Sequence, residues 1–508
     1  MSFFVFFVPL FVPFVLIPVF AFVFAGCTVG PDFRRPDAPA AKTYTESAMP
    51  ETTVSAPVKD GDAQRFVSGG EISAQWWTLF HSESLDLLIR RALDNSPTLA
   101  AAQAALLESE ENVRAKIGSA LYPHVDAGLS AERQKVSNAG FGQPGGASFN
   151  LYNASVNVSY AFDFFGGARR ELESLISQVD YQRFLLEAAY LTLTSNIVTT
   201  SVKEASLRAL IDVTRNILST REKELGVVEE RFRLGGVSLS DVLAARTLLA
   251  QTSATLPPLE KELSQTRHLL AILTGRLPGE AGLPEFNLDG LRLPQELPVS
   301  LPSELVRQRP DVRAYEALLH AASAQVGVAT ALMYPQISIS GSLGSETNKL
   351  GDLIGANTSI WGIGTGLVQP LFHGGELTAK RRGAVAAYSQ AEAQYRDTVL
   401  HAFQNVADVL RALDEDAKLL KAQADAESTA RDTLDITRKQ FKVGAVSYLS
   451  LLVAERQYQQ TRLSLVQAGE ARLIDTAALF QALGGGWWNR QQQADYGTDY
   501  GALEKKIF

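Results

Sequence analysis

One stretch of the chain, residues 384–443, runs for 60 residues without a proline or a glycine. Its apolar residues recur in alternating steps of four and three, which is a seven-residue repeat. Such a repeat keeps one stripe of a helix facing a partner helix in a left-handed supercoil. The stretch predicts a rod of about 90 Å, whereas helices of globular proteins average ~10–14 residues, so a compact enzyme core is excluded. The stripe consists of Val399, Phe403, Val406, Leu410, Leu413, Ala417, Leu420 and Ala424.

The chain also repeats itself after about 210 residues. Each half reads as a short helix, a strand, a loop, a second strand, a long helix, a turn and another long helix. Self-similarity at a fixed period indicates a duplicated structural unit. The matched positions are Pro97 and Pro310, Tyr122-Pro123 and Tyr334-Pro335, Phe165-Gly166-Gly167 and Phe372-His373-Gly374-Gly375, residues 231–238 and 440–447, and Leu273-Thr274-Gly275 and Leu483-Gly484-Gly485.

Periodicity and the Gly and Pro positions divide the chain into segments. Residues 76–123 are predicted to be helical, with Asn95-Ser96 and Pro97 as the cap and first-turn proline of a new helical segment. The predicted segments are a lipoprotein signal peptide (1–26), a linker (27–70), repeat 1 (71–275), a Pro-rich connector (276–303), repeat 2 (304–483) and a tail (484–508). The predicted strands are about 125–136, 148–163, 336–344 and 358–370, and the predicted long helices are 168–233, 241–273, 376–442 and 447–483. The predicted fold class is mainly α with membrane β-strands, in two tandem repeats.

The predicted strands alternate between apolar and polar residues. Alternation over ~9–11 residues with aromatic residues towards the ends is typical of membrane-barrel strands, although a strand of a soluble sandwich looks similar. Four strands cannot close a barrel, because the smallest membrane barrels have about eight, and an open sheet edge cannot face lipid. Two copies would supply eight strands with a filled interior, whereas three copies would supply twelve and leave room for water. The apolar face of the second strand is Tyr152, Ala154, Val156, Val158, Tyr160 and Phe162.

The N-terminal segment has the features of a signal peptide. Residues 1–26 carry no charge and are dominated by Phe, Val and Leu, and three prolines make them a poor permanent membrane span. The small pair Ala25-Gly26 directly precedes Cys27, the only cysteine of the chain. We therefore expect Cys27 to become the first mature residue and to carry covalent lipid. The alternative is a buried or idle thiol.

Composition excludes several other classes of protein. A net charge of −8 without a dense Lys or Arg cluster argues against a nucleic-acid partner. One cysteine excludes a disulfide framework, and the six scattered histidines match no metal-ligand spacing. The glycines at 362, 364 and 366 lie within a predicted strand and form no nucleotide loop. We predict no enzyme activity, no metal and no cofactor besides the lipid on Cys27.

Taken in order, several stretches resemble the outer-membrane factor family of tripartite export systems, and specifically its lipoprotein branch. The resemblance implies a homotrimer with a twelve-stranded barrel in the outer membrane and a twelve-helix tunnel in the periplasm. It also implies a belt built from the termini and the connector between the repeats, and acylation of Cys27. The implied partners are a periplasmic adaptor and an inner-membrane pump of the RND type. The stretches are residues 26–36, 76–80, 231–238, 301–342, 369–375, 440–457 and 482–488.

The resemblance also assigns roles at the turns of the long helices. The turns would form the periplasmic tip that docks the adaptor, and the helix ends beside them would close the tunnel. Val446 stands where relatives carry an aspartate, so constriction by apolar side chains is the expectation. Asp241 is the nearest acid in repeat 1, with helix capping as its alternative role. The predicted tip residues are Leu234, Gly235, Gly236, Val443, Gly444 and Ala445, and the predicted constriction residues are Asp241, Val446 and Ser447.

The functional prediction is a passive exit duct in the outer membrane, with its tunnel extending into the periplasm. The alternative is a lipid-anchored coiled-coil scaffold or adhesin without a pore. This alternative explains the helices and the anchor, but not the two strand pairs with polar opposite faces. A further hypothesis places the basic pairs Arg169-Arg170 and Arg381-Arg382 beside phospholipid headgroups.

Overall fold

The computed structural model describes residues 28–137, 144–280, 282–355 and 357–490. The predicted signal peptide, Cys27 and most of the predicted tail lie outside these ranges. The described helices are α1 (Glu83–Asn95), α2 (Pro97–Leu121), α3 (Gly167–Arg233), α4 (Leu239–Leu273), α5 (Pro302–Gln308), α6 (Pro310–Ala331), α7 (Glu376–Lys442) and α8 (Tyr448–Ala482). The described strands are β1 (Arg65–Ser68), β2 (His124–Ser137), β3 (Gly146–Phe162), β4 (Glu296–Val299), β5 (Gln336–Thr347) and β6 (Ser359–Val368).

Two helices dominate the molecule, α3 and α7, and each has 67 residues. At the rise of an α-helix each is about 100 Å long. The seven-residue stripe predicted on α7 is buried at all positions except Phe403, which packs at its edge. Neither helix contains a proline, and both end at a glycine turn that precedes a return helix. Among the described helices, none has the combination of length and apolar character that membrane spanning requires.

In each repeat, the return helix and a shorter helix stack end to end beside the long helices. A Cβ atom placed on Gly275, just after α4, would lie 2.3 Å from the carbonyl oxygen of Asn95, just before α2. In repeat 2, a Cβ on Gly484 would lie 2.8 Å from the carbonyl oxygen of Gln308, just before α6. Both glycines have positive φ, which residues with a side chain rarely adopt. The end of each return helix therefore meets the start of a shorter helix at mid-height.

The sheet that follows the short helices has the strand order β2-β3-β5-β6, and all neighbours are antiparallel. Strands β3 and β5 join the two repeats, with Tyr160 paired to Ile339 and Val156 paired to Leu343. The registers continue without a bulge, so side chains alternate strictly between two faces. Strands β2 and β6 are the two open edges of this sheet within one chain.

The predicted linker over residues 27–70 has more structure than the sequence indicates. Strand β1 pairs in parallel with β4 of the connector, so the linker and the connector form a small sheet. Arg472 of α8 is buried and donates hydrogen bonds to the backbone oxygens of Asp60 and Asp62 at 3.1 and 2.6 Å. A buried guanidinium requires such acceptors, and the linker supplies them.

The prediction of a continuous helix from residue 76 to Ser96 is wrong at His81. Residues Trp76–Phe80 form a separate 3₁₀ turn that ends at His81, whose φ is +49°. The aromatic residues of this turn are buried, and Trp76 stacks on Phe480 of α8 with ring centroids 5.2 Å apart. Burial of these rings therefore overrides the helical pattern of the sequence. The predicted helix start downstream is confirmed, because Ser96 caps α2 and Pro97 occupies its first turn.

Candidate functional site

The two turns between the long and the return helices have the same backbone geometry. In repeat 1 Gly235 has a φ of +76°, and the N–H of Gly236 donates to the carbonyl oxygen of Arg231 at 2.8 Å. In repeat 2 Gly444 also has a φ of +76°, and the N–H of Ala445 donates to the carbonyl oxygen of Gln440 at 2.9 Å. This is the usual way in which a left-handed glycine ends a helix.

The predicted tip residues lie on the surface of these turns. The residue before each glycine is apolar and largely exposed, with Leu234 at 75% and Val443 at 81% of full exposure. Gly236 and Ala445, which follow the glycines, are exposed as well. Within one chain, both apolar side chains are therefore left mostly uncovered.

The predicted constriction residues have local roles at the starts of the return helices. Ser238 and Asp241 form a reciprocal capping box at α4, in which the Ser238 N–H donates to Asp241 Oδ2 at 3.0 Å. Hydrogen bonds from Ser238 hold the pKa of Asp241 below its usual value. Ser447 caps α8 by accepting a hydrogen bond from the Ser450 N–H at 3.2 Å. Val446 is half-buried beside it.

A small apolar core, which we call the tip cluster, holds both turns at the same end of the molecule. Arg231 of α3 lies over the ring of Phe441 of α7, with its guanidinium carbon 4.8 Å from the ring centroid. The cluster draws on both repeats, so the two hairpins behave as one packed unit. Its buried members are Val228 of α3, Val242 and Ala245 of α4, Leu434 of α7, and Tyr448, Leu451, Leu452 and Ala454 of α8.

A group of charged residues, two buried and two partly buried, lies directly beside the tip cluster, and the sequence analysis did not identify it. We call Arg221, Glu224, Arg438 and Glu455 the tip charges. The side chains of Arg221 and Glu455 form an ion pair between α3 and α8, and each is only 2% exposed. Arg221 also contacts Glu224 at 3.1 Å. Arg438 of α7 approaches Glu455 at 3.4 Å and Glu224 at 3.8 Å.

Burial and crowding change the protonation of the tip charges. The pKa of Glu224 is raised to about 8. Burial is the largest cause, and the hydrogen bond and charge repulsion from Glu455 also raise the pKa, whereas Arg221 and Arg438 lower it by less. A carboxyl group with so high a pKa keeps its proton at neutral pH, so Glu224 is mainly uncharged there. Burial, together with the same carboxylates, raises the pKa of the Tyr448 hydroxyl to about 12.

A sequence signal for the tip charges does exist. Ile217, Arg221, Glu224 and Val228 follow one another in steps of four, three and four. Arg221 and Glu224 therefore occupy the stripe of α3 that packs against partner helices. Charged residues at such positions are costly unless they are paired, and their spacing points to a polar contact inside the helix bundle.

The N-terminal segment packs where the four-stranded sheet meets the long helices. The Val29 N–H donates to the carbonyl oxygen of Phe165, between β3 and α3, at 3.1 Å. Gly30 crosses α6 so closely that a Cβ there would lie 2.4 Å from the Cα of Gly327. Asp32 accepts a hydrogen bond from Arg170 at 2.6 Å. Thr28, the residue after Cys27, is thereby held where β3 ends and α3 begins.

The hypothesis that the basic pair 169–170 faces lipid headgroups is wrong for Arg170. Its side chain is 5% exposed and lies between Asp32 and Glu173. Arg169 binds Asp163 through its guanidinium at 3.3 Å. The second pair, Arg381 and Arg382, is exposed at the start of α7. Within the described ranges, no group of three or more His, Cys, Asp or Glu residues is arranged to hold a metal ion.

The two repeats, the four-stranded sheet and the long helices define a class of protein. Residues 88–276 and 301–485 match the sequence profile of a family described as "Outer membrane efflux protein". The matched residues make up well over half of the chain, and the chain belongs to this family. It is an outer-membrane channel of an efflux system, and this class is a channel family rather than an enzyme family.

Individual relatives cover nearly the whole chain. The pyoverdine export outer membrane protein OpmQ of Pseudomonas aeruginosa is 30% identical over 84% of this chain and 91% of its own. SilC of Salmonella typhimurium, described as a probable outer membrane lipoprotein, is 26% identical over 92% of this chain and 97% of its own. The outer-membrane channel OprN matches with a TM-score of 0.82 at 26% identity, over 91% of this chain and all of OprN. The predicted fold class is confirmed.

Proposed function

We propose that three copies of the chain complete a passive exit duct for cargo delivered by an inner-membrane pump. The observation that carries this proposal is the four-stranded sheet with two open edges, β2 and β6. An unpaired edge in hydrocarbon leaves backbone groups without partners at several kcal/mol each, so a further strand must cover each edge. Three sheets give twelve strands, which is enough for a water-filled interior.

The two glycine turns are the proposed docking site of a periplasmic adaptor, which would connect the duct to a pump of the RND type. Exposed Leu234 and Val443 support this role, because covering their apolar side chains with a partner surface is favourable. The tip cluster holds both turns at one end, so a single adaptor can engage both. The proposed constriction of the resting tunnel lies just inside, at Asp241, Val446 and Ser447.

A covalent lipid on Cys27 is the third part of the proposal. Thr28 and Val29 are held against Phe165 and Gly166, where the sheet passes into α3. The position of Thr28 at this junction supports a lipid on the preceding residue, because an acyl chain attached there could enter the adjacent leaflet. The description of SilC as a probable lipoprotein supports the same assignment.

The test uses the turn glycines. Gly235→Val and Gly444→Val each force a β-branched residue into a left-handed conformation, which costs more than ~1–2 kcal/mol and distorts the turn. We expect both variants to form trimers and conduct potassium chloride in planar bilayers. We also expect them to lose disulfide cross-linking between a cysteine at Leu234 or Val443 and the tip of the co-expressed adaptor.

The matched control is Gly226→Ala, because Gly226 lies at an exposed position within α3, has an ordinary φ, and a Cβ there meets no atom within 4 Å. This variant should cross-link like the parent. Trimers of the parent that fail to conduct would instead favour the scaffold without a pore. If both valine variants cross-link as fully as the parent, the glycine turns are not part of the docking site.

A further inference from the structure

The membrane sheet sorts its charged residues by sign. Its four strands contain five Asp, Glu, Arg or Lys residues, and the structure describes every residue of these strands. The strict alternation of β2 places Asp126 and Glu132 on one face and Arg133 and Lys135 on the other. Glu346 of β5 is paired to Asn153, whose partner on β2 is Ser130, so Glu346 shares the face of Glu132. All acids are on one face and both bases are on the other.

The face with the two bases is the one that lipid touches. It carries most of the large apolar residues of the four strands, and most of these are exposed in the single chain. Val136, Phe149, Leu151, Ile360 and Val368 are the large apolar residues on the opposite face. The opposite face carries Ser, Gly and Asn residues, as expected for the wall of an aqueous channel. The exposed apolar members include Val125 and Leu129 of β2, Val156 and Val158 of β3, Ile339 and Leu343 of β5, and Trp361, Ile363 and Leu367 of β6.

The two bases mark the upper boundary of the apolar band. On the lipid face, Ala131 is paired to Tyr152 in an apolar row, and the next row pairs Arg133 to Asn150. Both strands therefore change from apolar to polar at the same height. From Val125 to Arg133 a strand tilted by about 40° climbs roughly 20 Å, and to Lys135 roughly 25 Å, which is the height of a typical apolar band.

This boundary is at the end of the sheet that points away from the helices. Since the helices extend into the periplasm, Arg133 and Lys135 stand at the level of the outer leaflet's headgroups. Both side chains are exposed, and they lie two residues apart on one face, about 7 Å along the strand. No acid of the four strands shares their face, and a neighbouring β6 would add none, because β6 contains no charged residue.

We propose that Arg133 and Lys135 form a binding surface for the phosphate groups of lipid A, the lipopolysaccharide anchor of the outer leaflet. Arginine binds phosphate through two parallel hydrogen bonds, and lysine adds a compact positive charge. The acyl chains of the same lipid would pack on the apolar row below, at Ala131 and Tyr152. The carboxylates, on the channel side of the wall, do not compete for the phosphates.

The experiment measures the dissociation temperature of the detergent-solubilised trimer with added diphosphoryl lipid A, dephosphorylated lipid A or phosphatidylglycerol. We expect diphosphoryl lipid A to raise this temperature by several degrees and the other two lipids to raise it by much less. Arg133→Gln with Lys135→Gln should abolish the shift, whereas Arg133→Lys with Lys135→Arg should keep most of it. Glu132→Gln, one residue away on the opposite face, is the matched control and should keep all of it.

Salt provides a second reading that needs no variant. At about 1 M NaCl the screening length falls to about 3 Å, and the lipid A shift of the parent trimer should largely disappear. The proposal is overturned if the double glutamine variant keeps the full shift, if salt leaves the parent's shift intact, or if phosphatidylglycerol stabilises the trimer equally. If the parent chain forms no trimer in detergent even without added lipid, that result contradicts the proposed assembly and not the lipid A proposal.

Discussion

Glu224 shows how one residue inside a helix bundle couples stability to pH. Its pKa is raised from 4.5 to about 8 by burial and by Glu455. A carboxyl group whose pKa is raised by folding stabilises the packed state fully below its unfolded pKa. That contribution is lost as pH rises towards the folded pKa. The packing of the tip should therefore weaken between about pH 4.5 and pH 8.

Glu224→Gln is predicted to remove this loss, because the amide can donate to Glu455 as the protonated carboxyl does. At pH 8.5 backbone amides of residues 217–228 should exchange with deuterium about tenfold more slowly in the variant than in the parent, a difference of roughly 1.4 kcal/mol. Near pH 5 the two proteins should exchange alike. Glu222→Gln, at an exposed position of the same helix, is the control. Equal exchange of parent and Glu224→Gln at pH 8.5 would refute the raised pKa of Glu224.

At the scale of an element, the N-terminal segment is held by a close backbone crossing and not by regular structure. Gly30 has a φ of +98°, and its neighbour Gly327 on α6 leaves no room for a side chain. Next to the crossing, Phe33 stacks on His320 with ring centroids 4.2 Å apart, and Arg35 pairs with Glu316. The position of residues 28–38 therefore depends on the absence of a Cβ atom at both Gly30 and Gly327.

Gly30→Ala is predicted to release this segment from α6. The added methyl group meets Gly327 in a strained backbone conformation, and such overpacking costs about 1–3 kcal/mol. Trypsin should then cut after Arg34 at least about tenfold faster, since the cleavable population follows the opening free energy. Gly118→Ala, on α2 where a Cβ meets only open space, should leave the rate unchanged. Unchanged cleavage of Gly30→Ala would show that the crossing does not hold the segment.

At the scale of the whole molecule, the two repeats are joined by the sheet at one end and by the tip charges near the other. The Arg221–Glu455 pair connects the long helix of repeat 1 to the return helix of repeat 2. Removing one partner of a buried ion pair leaves the other charge buried without a partner, which destabilises the fold strongly. An exposed pair between Arg215 of the same long helix and Glu260 of α4 does not have this cost.

Arg221→Met is therefore predicted to destabilise the junction of the two hairpins by about 3 kcal/mol, and Arg215→Met by less than about 1 kcal/mol. The double variant Arg221→Met with Glu455→Met should regain most of the lost stability, because an apolar pair of similar size suits the surrounding core. Deuterium exchange around Tyr448 and Val228 gives the measurement. Equal losses for Arg221→Met and Arg215→Met would mean that the buried pair does not couple the repeats.

The agreement between sequence and structure varies with the range of the interactions. The long helix predicted at 376–442 is observed as Glu376–Lys442, and the strand predicted at 148–163 as Gly146–Phe162. Both depend on local rules, namely apolar period and the positions of Gly and Pro. The 3₁₀ turn at Trp76–Phe80 was missed because contacts with the distant Phe480 determine it. The tip charges were missed because each has its partner on another helix.

The sequence by itself determined the length of the rods, the alternating strands and the glycine turns, because each is encoded in residues close together along the chain. It also showed the repeat, because the two copies can be compared directly. Only the tertiary structure decided which charges became buried partners and how the short helices stack. These features depend on residues hundreds of positions apart, such as Arg221 and Glu455. Their pairing free energy exists only once the packed helices have excluded water from between them.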